Sequence, residues 1–83
     1  MSTGKSLAIF GAGSVGLSAV LGARLVGAGT IIAVDVRADR LSVASELGAT
    51  HIVNVQKESP VDRIMEITGS GVHYSLDTSA RPR

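Results

Sequence analysis

The sequence contains no cysteine, and one phenylalanine and one tyrosine are the only aromatic residues among its 83 residues. The absence of cysteine excludes a disulfide-linked scaffold and any thiolate metal site, and it is typical of proteins from reducing compartments. We therefore predict a cytoplasmic location. Two aromatic side chains cannot form the stacking platform with which RNA-binding and single-strand DNA-binding modules hold their bases.

Charged residues are also scarce, and neither sign dominates. Lys and Arg together number 8 and Asp and Glu number 7, which leaves a formal net charge of +1. We expect neither nucleic acid nor a membrane surface as a partner, because both attract proteins with a clear excess of positive charge. The longest apolar stretch, residues 15–28, is interrupted by Ser18, Arg24 and glycines, so it is not expected to span a membrane.

Short apolar runs alternate with helical patterns along the chain. Runs of this kind are typical of strands that a parallel sheet buries on both faces. Ser59 can cap a helix whose first position is Pro60, and Gly48 and Gly69 stand where helices are expected to end. The predicted strands are residues 7–10, 31–34, 50–55 and 72–77, and the predicted helices are residues 14–28, 37–47 and 60–69.

This alternation of strands and helices predicts the fold class. A chain of 83 residues forms one domain or part of one, so residues 1–83 are treated as a single unit. Right-handed crossovers between successive strands give an α/β architecture with a parallel sheet. We predict a Rossmann-type sheet of about four strands in the spatial order 3-2-1-4 with three helices, the arrangement of the first half of a dinucleotide-binding fold plus one strand.

Residues 11–16 carry the motif with the clearest chemistry. Their sequence, Gly-Ala-Gly-Ser-Val-Gly, fits G-x-G-x-x-G between a buried strand and a helix, which is the context of a dinucleotide-binding turn. Gly11 permits the tight turn, Gly13 lets a pyrophosphate approach the backbone, and Gly16 lets helix and strand pack closely. The amides of Ser14 and Val15 at the helix start then face the anion. The alternative is a glycine-rich turn without a ligand.

Asp35 lies 19 residues after Gly16, at the end of the second predicted strand. An acidic residue at this place accepts hydrogen bonds from the adenosine ribose, and its charge repels a 2′-phosphate, so NAD is favoured over NADP. The alternative is that Asp35 only caps the following helix. Arg37 and Arg40 are nearby cations that leave NADP as a minor alternative.

No catalytic or metal-binding set can be assembled from the remaining residues. His51 and His73 fall on different predicted strands and have neither a cysteine nor a close pair of carboxylates beside them. We therefore predict no catalytic residue and no metal ligand in this chain.

The combined pattern resembles the zinc-dependent medium-chain alcohol dehydrogenases over nearly all of residues 6–81. The matching segments are Gly11-Ala-Gly-Ser-Val-Gly-Leu-Ser18, Gly27-Ala-Gly, Ile31-Ile-Ala-Val-Asp35, Asp39-Arg40, Glu46-Leu-Gly-Ala-Thr-His51 and Val53-Asn54. One departure from the family pattern is Ala80, which stands where family members usually have a glycine. The resemblance implies that the chain is the N-terminal part of a coenzyme-binding domain, truncated after its fourth strand.

The resemblance also implies roles for individual residues. The amides of Ser14 and Val15 would hold the pyrophosphate of the coenzyme. Asp35 and Arg40 would hold the adenosine ribose, and Val36 would flank the adenine.

A function and a cofactor follow from the same resemblance. The parent enzyme would transfer a hydride between an alcohol and NAD, with zinc bound only in catalytic portions that this chain lacks, so we predict that the chain alone is inactive. The alternative is a free-standing module that binds or senses an adenine nucleotide without catalysis. A flavin or methyl-donor cofactor would share the glycine turn, but the match to the alcohol dehydrogenase pattern makes it the weakest alternative.

The predicted fourth strand suggests that the chain associates with itself. Residues 72–77 are expected at an edge of the sheet, and they contain neither proline nor lysine to block pairing with another strand. The first helix is apolar on nearly every side, so one sheet cannot cover all of it. We therefore predict self-association through the exposed edge of the fourth strand.

Overall fold

The computed structural model describes residues 4–78, so Ala80 lies outside the described residues. Strands and helices alternate along this part of the chain, as the sequence predicts. The elements are β1 (Ser6–Phe10), α1 (Ser14–Leu25), β2 (Thr30–Asp35), α2 (Ala38–Leu47), β3 (His51–Asn54), α3 (Pro60–Thr68) and β4 (Tyr74–Asp77).

The four strands form one parallel sheet in the order β3-β2-β1-β4. In this register Leu7 of β1 lies between Ile31 of β2 and Tyr74 of β4. The predicted α/β class, strand order and number of helices are therefore confirmed. β1 is central, and its carboxyl end leads directly into the glycine turn.

Two elements differ from their predicted bounds by two or more residues at one end, each for a local reason. Helix α1 ends at Leu25 because Gly27 takes a φ of +80° and the amide of Ala28 donates to the Ala23 carbonyl at 3.0 Å, which closes the last turn. Strand β4 begins at Tyr74 rather than at residue 72. Just before it, a side-chain bond replaces strand pairing, since the amide of His73 donates to the Ser6 hydroxyl at 3.1 Å.

Helices cover both faces of the sheet. On one face α1 and α2 pack over Leu7 and Ile9 of β1, and on the other α3 packs its buried Ile64 near Ala8 and Val53. Both layers pack on β1 and β2, whose side chains are almost all buried. This burial fixes the positions of the two strand ends that border the glycine turn.

Apolar side chains remain exposed at the surface. On α1, Val15 is 67% exposed and Leu25 is 77% exposed, and on β4, Tyr74 and Leu76 are 47% and 41% exposed. Among residues 4–78 no helix is long and apolar enough to cross a membrane.

Candidate functional site

The carboxyl ends of β1, β2 and β4 surround a cavity of about 310 Å³. Open α/β sheets bind their ligands in this position, outside the carboxyl ends of the strands. The nine lining residues are Phe10, Gly11, Gly13, Val34, Asp35, Val36, Arg40, Val55 and Thr78.

The glycine turn requires glycine at two positions for different reasons. Gly11 has a φ of +100°, a region that side chains rarely adopt, and its amide donates to the Val34 carbonyl at 2.7 Å. A Cβ atom at Gly16 would overlap the carbonyl oxygen of Gly11. Helix α1 can therefore begin directly against the turn only with glycine at position 16.

Gly13 faces the cavity and leaves space there. The nearest atom to a Cβ placed at Gly13 is Arg40 Nη1, at 4.0 Å. Gly13 is the N-cap of α1 and supplies no side-chain hydrogen bond, and the first turn of the helix contains no acidic residue. The amides of Ser14 and Val15 have no acceptor within the helix, because its first turn lacks preceding carbonyls. The turn therefore presents amides without an acceptor in the helix at the positive end of the helix dipole.

Asp35 is buried at the end of β2, with 8% of its surface exposed, and its carboxylate is held by three amides. Its Oδ2 accepts from the Ala12 amide at 2.7 Å, and its Oδ1 accepts from the amides of Val36 at 2.6 Å and Arg37 at 3.0 Å. The N-cap of α2 is Arg37 and makes no side-chain capping bond. The Ala12 bond shows that Asp35 does more than cap a helix, because it joins the end of β2 to the glycine turn.

The two nearby arginines differ in placement. Arg40 lines the cavity, and its Nη1 lies 3.8 Å from Asp35 Oδ2. Arg37 instead forms a two-point contact with the exposed Asp39, at 3.1 Å and 3.0 Å. Arg40 is therefore the arginine placed to meet a ligand in the cavity.

The environment of Asp35 favours its charged form. Burial alone would raise the pKa of this carboxyl, but the amides of Ala12, Arg37 and Val36 and the charge of Arg40 outweigh burial and hold the pKa below its ordinary value of 3.8. The carboxylate is therefore ionised at neutral pH.

This lowered pKa predicts a loss of stability in acid. The stabilisation from the Asp35 carboxylate is fully present above the unfolded-state pKa and is lost as the pH falls through the lower folded-state pKa, because the unfolded chain takes up a proton first. The difference in free energy of unfolding between the unmutated chain and Asp35→Asn should be largest above about pH 5 and shrink by about pH 3. Urea titrations measure it. The control is Asp39→Asn, which removes a carboxylate from an exposed ion pair and should give a weaker pH dependence. If the difference in free energy of unfolding between the unmutated chain and Asp35→Asn does not vary with pH, the prediction is contradicted.

The structure brings most of the predicted binding residues to one place. Five of them line the cavity, namely Gly11, Gly13, Asp35, Val36 and Arg40. The other three lie beside it: Gly16 is buried behind the turn, while Ser14 and Val15 are exposed at the start of α1.

Four further residues line the cavity that the sequence pattern does not mark as binding residues, namely Phe10, Val34, Val55 and Thr78. Three of them are apolar ends of strands or their continuations and carry no motif. The only available signal for Thr78 was a hydroxyl directly after a strand that is parallel to β1. Among residues 4–78 there is also no group of three or more His, Cys, Asp or Glu residues arranged to hold a metal ion.

The known proteins that this chain is similar to are dehydrogenases. The model of the zinc-binding dehydrogenase family matches residues 14–83. The chain is 49% identical to a geraniol dehydrogenase from Castellaniella defragrans, over 95% of this chain and 21% of that protein. It is 41% identical to a sorbitol dehydrogenase from Bacillus subtilis, over 99% of this chain and 24% of that protein.

Solved structures show the same likeness. An alcohol dehydrogenase zinc-binding domain protein from Burkholderia ambifaria superimposes with a TM-score of 0.94 at 56% identity, over 98% of this chain and 22% of that one. A benzyl alcohol dehydrogenase from Acinetobacter calcoaceticus gives a TM-score of 0.93 at 46% identity, with the same two coverages. The chain thus spans between a fifth and a quarter of the length of these relatives. By its family match, its identity to these dehydrogenases and its fold, the chain belongs to the zinc-binding dehydrogenase family.

Proposed function

We propose that this chain binds the adenosine and pyrophosphate half of NAD and serves a dehydrogenase that transfers a hydride between an alcohol and NAD. The observation that carries the proposal is that the Asp35 carboxylate and the open side of Gly13 border the same cavity. The names of the relatives, which include geraniol and benzyl alcohol dehydrogenases, support an alcohol as the substrate class.

The residues at the cavity fit such a cofactor. The space beside Gly13 suits a pyrophosphate, and so do the amides of Ser14 and Val15, which have no acceptor within the helix. An ionised carboxylate offers about four acceptor positions, and three amides already use three of those at Asp35, which leaves about one for a ribose hydroxyl. Val36 is 48% exposed at the cavity and offers an apolar surface to the adenine.

In this arrangement the chain binds and orients, and NAD when bound supplies the hydride acceptor. The buried Asp35 fixes the ribose, and the helix dipole of α1 favours the negative charge of the pyrophosphate. The alternative, a free-standing module that binds a nucleotide without catalysis, would use the same cavity. Membership in the dehydrogenase family favours the first function.

The proposal predicts a preference that a titration can measure. ADP-ribose should bind more tightly than its 2′-phosphorylated form, because the added phosphate would meet the Asp35 carboxylate. At least a severalfold difference is expected, since like charges at close range disfavour binding by about 1 kcal/mol even when solvent screens them. The two ligands differ only by the 2′-phosphate, so calorimetry with both measures the effect of that group on the affinity. Equal or tighter binding of the 2′-phosphorylated ligand would contradict the preference, and no binding of either would contradict the site.

We also propose that the outer edge of β4 pairs with a second copy of the chain. β4 is the last strand of the described sheet and pairs with β1 on one side. All four of its residues are exposed, and Tyr74 and Leu76 lie on the same face of the sheet as Leu7 and Ile9. A two-fold pairing of β4 strands would place these side chains beside those of the partner strand and make one continuous sheet of both copies.

A charge at the β4 edge should abolish this self-association. Leu76→Lys places an ammonium group where the two copies would meet, so light scattering over a concentration series should show a monomer. Ile52→Lys is the matched control, because Ile52 on the opposite edge strand β3 is also 41% exposed, as Leu76 is. The unmutated chain and the control should associate as the concentration rises. An unmutated chain that stays monomeric at high concentration would contradict the proposal.

A further inference from the structure

A single peptide unit in the glycine turn is held from both sides. The carbonyl oxygen of Gly11 accepts from the Thr78 hydroxyl at 2.6 Å, and the amide of Ala12, in the same peptide unit, donates to Asp35 Oδ2 at 2.7 Å. Thr78 follows β4 and Asp35 ends β2, so the strands on either side of β1 both supply a bond to the turn that follows it. We call this arrangement the peptide clamp.

We propose that Thr78 is a positioning residue, whose hydroxyl holds the Gly11–Ala12 peptide against Asp35 and thereby sets the direction of the amides that receive the pyrophosphate. This inference rests on the proposed function, in which the amides of Ser14 and Val15 bind that group. The Gly11–Ala12 peptide directly precedes Gly13 and the start of α1, so a rotation of this peptide redirects the first free amides of the helix.

The hydroxyl has a role that the backbone of Thr78 does not duplicate. The amide of Thr78 donates to the Phe10 carbonyl at 2.8 Å, which keeps the end of β4 beside β1 without the side chain. The hydroxyl has one hydrogen and two neighbouring carbonyl oxygens, at 2.6 Å for Gly11 and 3.1 Å for Phe10. The shorter contact assigns that hydrogen to Gly11, and so to the turn.

The clamp also predicts which part of the ligand depends on Thr78. Asp35 keeps its bonds from the amides of Val36 and Arg37 when the hydroxyl is removed, so its carboxylate stays in place for the ribose. The peptide that precedes the amides at the start of α1 loses the Thr78 bond, which is one of the two bonds that hold it. Affinity for the phosphates should therefore fall more than affinity for adenosine.

The test compares Thr78→Val, which keeps the shape and removes the hydroxyl, with Thr78→Ser, which keeps the hydroxyl. In Thr78→Val the affinity for ADP should fall about tenfold, because the amides that donate to the charged phosphates lose the hydrogen bond that orients them. The affinity for adenosine should stay near that of the unmutated chain. Thr78→Ser should restore most of the ADP affinity. Thr68→Val removes a hydroxyl that donates to the Ile64 carbonyl at 2.7 Å in α3, and as the control it should leave ADP affinity unchanged.

A second readout needs no ligand. Hydrogen exchange of the Ala12 amide should be about tenfold faster in Thr78→Val than in Thr78→Ser, relative to amides of β2, because the clamp loses one of its two bonds. Unchanged exchange at Ala12, or equal losses of ADP and adenosine affinity, would overturn the inference. If the unmutated chain binds neither ligand, the proposed function fails, and the exchange measurement still decides whether the clamp exists.

Discussion

Gly16→Ala should lower the melting temperature of the chain by roughly 4–20 °C. The added Cβ atom would overlap the Gly11 carbonyl oxygen and lie 3.2 Å from the Thr78 hydroxyl. The carbonyl cannot easily move away, because the Gly11 amide is bonded to the Val34 carbonyl and the next amide to Asp35. Overpacking against fixed backbone costs about 1–3 kcal/mol, a substantial share of the roughly 4–12 kcal/mol that stabilise a domain of this size.

Circular dichroism during thermal unfolding measures this effect, and the same helix offers a matched control. A Cβ atom at Gly22 meets no atom within 4 Å, so Gly22→Ala adds the same methyl group without a clash. It should stabilise the chain by about 0.5–1 kcal/mol, because alanine is favoured over glycine inside a helix. Similar melting temperatures for the two variants would show that close packing at position 16 is not required.

The sequence was sufficient to predict the topology, for identifiable reasons. The apolar runs that became β1 and β2 stop at Gly11 and Asp35, so the carboxyl ends of both strands were predicted to within one residue from residue type alone. Ser59 and Pro60 marked the start of α3, where the amide of Asp62 does bond to the Ser59 hydroxyl at 3.4 Å. Local signals of this kind decide where elements begin and end.

Other features depend on residues that are distant in the sequence. The Thr78 hydroxyl reaches Gly11 across 67 positions, and the same separation joins His73 to Ser6. No pattern of periodicity records such pairs. The sequence therefore predicted Asp35 as a ribose ligand but did not predict its bond to Ala12, which makes the same carboxylate part of the turn's support.

Gly13→Ala should separate binding from folding. Gly13 has a φ of −74° and a ψ of −166°, which alanine adopts without strain, and its Cβ atom would have no neighbour closer than 4.0 Å. The variant should therefore fold, with a cost below about 1 kcal/mol from a poorer N-cap. The methyl group would occupy the space at which a pyrophosphate approaches the backbone.

The expected loss of affinity follows from the bonds that the methyl group would block. A hydrogen bond to a charged group contributes about 1.5–3 kcal/mol, so losing one at the pyrophosphate should weaken ADP-ribose binding by at least about tenfold. Calorimetry on Gly13→Ala and Gly22→Ala measures it, with Gly22→Ala retaining the affinity of the unmutated chain because Gly22 does not line the cavity. Undiminished binding by a well-folded Gly13→Ala chain would mean that the ligand does not approach the turn. The cavity beside Asp35 would then hold the nucleotide by its adenosine end alone.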